Sequence, residues 1–124
     1  MNKLKLFLGS LILPLIFFRI LVFLKDGQVS FLRNITGLSV HHYHYGIIFL
    51  TIAVILLIFN KITPLTIVLA GLGLGSTLDS FISSLFPSIN RAEEIVNYNI
   101  NLVPTLVLFM GIIFLVVIIQ NKKN

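Results

Sequence analysis

The chain has 124 residues, of which 57% are hydrophobic and 10% charged, with a formal net charge of +5. Ordinary soluble domains carry about 25% charged residues, so the polar coat of a soluble fold is excluded and the bilayer is the natural solvent. The basic residues flank apolar stretches, which argues against nucleic acid as a partner, and the absence of cysteine excludes disulfides and thiolate metal ligands.

A helix needs about 20 mostly apolar residues to cross hydrocarbon. Four stretches meet this, at 4–24, 41–59, 62–86 and 100–119, in one domain spanning residues 1–124. The first has a basic start, Lys3 and Lys5, and with its apolar run has the look of a secretory signal. The first alanine of the chain is Ala53, however, so a small-residue cleavage site is missing and an uncleaved helix is expected. Arg19 sits one to two turns from its far end.

The second stretch opens with His41-His42-Tyr43-His44-Tyr45-Gly46. His41 and His44 are three residues apart and share a helical face, while His42 points about 100° away. In the third stretch Gly71, Gly75, Asp79 and Ser83 recur every four residues and form one stripe. Gly71 and Gly75 have the small-xxx-small spacing that admits a neighbouring helix, or a second copy of the chain, at close range. Ser76, Ser80 and Ser84 form an adjoining hydroxyl stripe, and Gly73 falls on neither. A polar linker with Glu93 and Glu94 leads to the fourth stretch. Asn97, Asn99 and Asn101 alternate around Tyr98 there and read as helix entry.

Four crossings put Lys3, Lys5, Lys61, Lys122 and Lys123 on one side, against Lys25, Arg33 and Arg91 on the other. The positive-inside bias then places both termini in the cytoplasm. The fold class expected is all-α, a four-helix transmembrane bundle in the plasma membrane. At ~1.5 Å per residue, Arg19, His44 and Asp79 all lie on the order of 5–11 Å inside the outer interface, with Glu93 and Glu94 above them. Imidazole and carboxylate together suit a divalent metal, zinc first, and His41, His42, His44 and Asp79 are the candidate ligands. An intramembrane acid costs at least ~2.5–3.5 kcal/mol on insertion scales, so Asp79 needs a partner, and Arg19 is the structural alternative to a metal.

These residues carry a resemblance. The histidine cluster before Gly46, the run Gly71-Leu72-Gly73-Leu74-Gly75 leading to Asp79-Ser80-Phe81, and Glu93-Glu94 before a last helix are similar in order and spacing to a family of uncharacterised small prokaryotic integral membrane proteins. The likeness covers roughly residues 40–119. That family has a glutamate where this chain has Ser80, which weakens any two-carboxylate site on the third helix. The resemblance implies that His41, His42, His44, Asp79 and Glu93 or Glu94 cluster, and it implies no activity. A looser analogy is to ceramidase-type membrane metal hydrolases.

The reading that follows is a metal-dependent hydrolase of a lipid or amphipathic substrate, with Glu93 or Glu94 moving a proton and Arg19 and Ser83 meeting the substrate. A metal would lower the pKa of bound water toward ~7. The alternative is a non-enzymatic binding, transport or accessory protein in which Arg19 and Asp79 are a structural pair.

Overall fold

The computed structural model describes residues 2–25 and 42–123. Arg33 and His41 lie outside the described residues. Among the described residues every regular element is a helix: α1 (Lys3–Lys25), α2 (His42–Phe59), α3 (Pro64–Ser84), α4 (Arg91–Ile100) and α5 (Leu102–Lys123). Three segments, Lys3–Leu24, Pro64–Ser84 and Leu102–Lys123, are long and apolar enough to cross a membrane. The apolar helix Tyr43–Phe59 is shorter.

α3 is the hub, in contact with each of the other four helices. Its start is fixed by Thr63, whose hydroxyl accepts from Thr66 N–H at 3.3 Å while the Thr66 hydroxyl accepts from Thr63 N–H at 3.0 Å. Pro64 follows at the first helical position, where a missing N–H costs nothing. Two different glycine faces then receive two different helices. A Cβ at Gly71 would lie 2.9 Å from the Phe7 carbonyl oxygen of α1, and one at Gly75 would overlap the Leu11 carbonyl oxygen and lie 3.2 Å from Pro14 Cγ. A Cβ at Gly73 would lie 2.8 Å from Leu50 N and 2.9 Å from the Gly46 carbonyl oxygen of α2. The role that sequence spacing left blank for Gly73 is therefore the α2 crossing. Gly71 and Gly75, the face that spacing alone could have given to a second copy, are covered by α1 of the same chain.

These contacts set direction. Gly71, Gly75 and Asp79 meet Phe7, Leu11 and Arg19 in ascending order, so α1 and α3 run in the same sense. Gly73 faces Gly46 and Leu50 while Gly46 also meets Thr77, so α2 runs the opposite way. Leu11, Leu15, Leu78 and Phe109 form the buried core shared by α1, α3 and α5. Outside it, large apolar side chains such as Phe17, Ile55, Val107 and Phe114 are more than half exposed. Water would not tolerate so continuous an apolar exterior, whereas hydrocarbon requires it. The hydroxyls of α3 are satisfied within the helix: Ser76 donates to the Leu72 carbonyl at 2.7 Å, Thr77 to Gly73 at 2.8 Å and Ser80 to Ser76 at 3.3 Å.

The stretch expected to be a polar linker is helical. Asn90 caps α4, its Oδ1 accepting from Glu93 N–H at 2.9 Å, and Glu93 Oε2 accepts in turn from Ile89 N–H at 2.9 Å. The helical hydrogen bonds continue through Asn101, whose N–H donates to Asn97 O at 3.2 Å and whose carbonyl accepts from Thr105 N–H at 3.1 Å. Ten residues of helix thus precede the last apolar segment, because a good cap, an acid pair in the first turn and unbroken i→i−4 bonding outweigh the low helix propensity of the asparagines.

Candidate functional site

The chemistry of the molecule gathers where α1, α3, α4 and α5 meet, around a guanidinium and a carboxylate. Asp79 is 0% exposed and Arg19 has a side-chain exposure of 14%. Arg19 Nε donates to Asp79 Oδ1 at 3.0 Å, and Arg19 Nη2 donates to the Asp79 backbone carbonyl at 3.3 Å. The second carboxylate oxygen, Oδ2, accepts from the Tyr98 hydroxyl. Arg19 Nη1 donates to the Tyr98 backbone carbonyl, and the guanidinium carbon stands 3.6 Å from the Tyr98 ring centroid. Thr105, also 0% exposed, completes the shell: its hydroxyl lies 3.5 Å from Arg19 Nη2 and donates to the Asn101 carbonyl at 2.7 Å.

The local sequence explains each placement. Asp79 comes one turn after Gly75, at the level where α1 and α3 have already been drawn together, so its side chain meets Arg19 rather than lipid. Tyr98, Asn101 and Thr105 recur at intervals of three and four residues, the period of one helical face, which turns all three toward the bundle. Burial and the adjacent Asp79 carboxylate push the Tyr98 hydroxyl above its usual range, so it acts as a donor.

A buried charge survives only when paired and hydrogen-bonded, and here both members are. Each Asp79 oxygen has a donor, and the guanidinium is engaged through all three of its nitrogens. That arrangement suits an anchor better than a reagent. A cation brought to Asp79 would compete with Arg19 and Tyr98 for the carboxylate, and an anionic headgroup would compete with Asp79 for Arg19.

The other sequence candidates have placements of their own. Ser83 is half-buried and donates to the Ser80 carbonyl of its own helix at 3.2 Å. Glu93 is the capping acid of α4, and Glu94 shares its first turn. His42 begins α2, and the His44 ring is stacked with Tyr43 at 4.2 Å between centroids. Among the described residues no three of His, Cys, Asp and Glu converge as a metal site would require, and His41 lies outside them. Sequence reasoning missed the roles of Tyr98 and Thr105, although their spacing from Asn101 carried the signal.

No family model, no curated protein and no solved structure matches the chain.

Proposed function

We propose that the chain is a non-enzymatic multi-pass membrane protein, an accessory or binding subunit in which the buried polar cluster is a structural lock. In this reading α1, α2, α3 and α5 all cross the plasma membrane of a prokaryotic cell, with both termini in the cytoplasm and the lock toward the outer face. The α2 segment Tyr43–Phe59 has 17 residues and spans about 25 Å at ~1.5 Å per residue. This is within reach of a crossing, because short spans are accommodated by local bilayer thinning. The opposed direction of α2 between α1 and α3 supports the same topology.

The observation that carries the proposal is that Arg19 and Tyr98 together engage both carboxylate oxygens of Asp79. The competing hydrolase reading needs Asp79 as a ligand beside His41, His42 and His44, and the lock takes that ligand away. The test is elemental analysis of protein purified in detergent after zinc supplementation, together with thermal melting of wild type and Asp79→Asn. The lock predicts no stoichiometric metal in either protein and a lower melting temperature for the variant. Stoichiometric zinc in wild type that is lost in Asp79→Asn restores the hydrolase reading.

A further inference from the structure

At the end of the molecule opposite the lock, the start of α1 and the end of α5 enclose a shallow open depression of about 540 Å³ lined by Asn2, Lys3, Leu4 and Gln120. Lys5, Lys61, Lys122 and Lys123 are exposed at the same end, as is Lys3, and the four acids of the chain (Asp26, Asp79, Glu93 and Glu94) are all elsewhere in the sequence. We propose that this depression holds the headgroup of an acidic phospholipid.

The chemistry of the lining selects the ligand. Lys3 offers an ammonium. The Asn2 side-chain oxygen already accepts from Lys5 N–H at 3.1 Å, so what Asn2 has left to offer is its NH₂, again a donor. Gln120 adds a second amide. Lys122 and Lys123 occupy the last turn of α5, where the free carbonyls favour cations and hold the charge in place. Donors and positive charge, with no carboxylate side chain beside them among the described residues, fit phosphate oxygens. Leu4, and the lipid-facing sides of α1 and α5 below it, fit acyl chains, so the ligand is amphipathic. A zwitterionic headgroup would bring its own cation against the lysines and is disfavoured. Basic clusters at the cytoplasmic edge of membrane helices attract anionic lipid in this way, each Lys contributing separately.

The proposal rests on membrane placement, so the experiment separates the two. Full-length protein is first floated with vesicles of phosphatidylcholine alone, which tests placement without reference to headgroup charge. The detergent-solubilised protein is then titrated with phosphatidylglycerol, phosphatidylcholine or inorganic phosphate while its melting temperature is followed. Phosphatidylglycerol is expected to raise the melting temperature and the other two are not. The exposed-site variant Lys3→Gln/Lys122→Gln/Lys123→Gln, matched to wild type in lipid-free melting, should bind phosphatidylglycerol roughly 100-fold more weakly, the size expected for three lysines near an anionic surface. Lys61→Gln, in the α2–α3 turn, should retain most of the effect. Equal protection by phosphatidylcholine or by phosphate overturns the proposal, as does an unchanged response in the triple variant. Failure to float with phosphatidylcholine overturns the membrane placement instead.

Discussion

Arg19 grips Tyr98 twice, through a hydrogen bond to its backbone carbonyl and through its guanidinium lying 3.6 Å from the ring centroid. The Tyr98 hydroxyl then returns to Asp79. Helices α1, α3 and α4 are closed into one circuit by these contacts, and α4 is held to the bundle by a residue of α1.

The circuit makes a double-mutant cycle informative. Removing one member of a buried pair leaves an uncompensated charge, at a cost of about 3–5 kcal/mol, whereas apolar replacement of both is often neutral. Asp79→Leu and Arg19→Leu are each expected to melt well below wild type in detergent. Arg19→Leu/Asp79→Leu should recover most of the loss. Additive losses in the double variant would show that the two residues do not act as a pair.

Tyr98 separates its own contributions. Tyr98→Phe keeps the ring over Arg19 and loses only the hydroxyl that donates to Asp79, an expected loss of about 1–3 kcal/mol. Tyr98→Leu also removes the cation–π contact and should lose roughly 1–2 kcal/mol more. Chemical denaturation of the two variants checks the order, and equal stability would deny the ring any part in holding Arg19.

The glycine faces predict opposite responses to one kind of change. Gly75→Ala puts a methyl into the Leu11 carbonyl and should lower the melting temperature. A Cβ at Gly111 meets nothing within 4 Å, so Gly111→Ala should be neutral or stabilising by up to about 1 kcal/mol through helix propensity. A melting temperature for Gly75→Ala at or above that of Gly111→Ala would refute the close α1–α3 approach.

Orientation is tested by single cysteines at Ser30, in the segment between α1 and α2, and at Asn121. Membrane-impermeant maleimide on intact cells should label the first and spare the second. The reverse pattern inverts the topology.

Much of the fold was legible in hydrophobic run length, because hydrocarbon sets both the length and the helical state of each span. The spans expected at 4–24, 62–86 and 100–119 differ from α1, α3 and α5 by a few residues at their ends. The Gly71/Gly75 stripe announced a close contact, but spacing alone could not name the helix that fills it. Periodicity placed Arg19 and Asp79 at one depth and left open whether a metal or an ion pair joined them. The packing shows the ion pair and brings Tyr98 to the second carboxylate oxygen. Tyr98 was hidden by its asparagine neighbours, which read as helix entry, whereas Asn90 caps a helix that already runs through them. Gly73 was hidden because α3 has two glycine faces and a single stripe describes one.

The central position of α3 also bears on how the molecule is made. α3 has the lowest mean hydropathy of the three long segments, 1.6 against 2.5 for Lys3–Leu24 and 3.0 for Leu102–Lys123, and it alone of the three carries an acid in mid-span. Chains are synthesised from the N-terminus, so α1 and its Arg19 have been made before Asp79. The least self-sufficient helix thus arrives with its counter-ion waiting and its two glycine faces flanked by α1 and α2. Tyr98 and Thr105 are translated later and complete the cluster last, which makes α4 and the first turn of α5 the latch on an assembly whose order is written into the order of its charges.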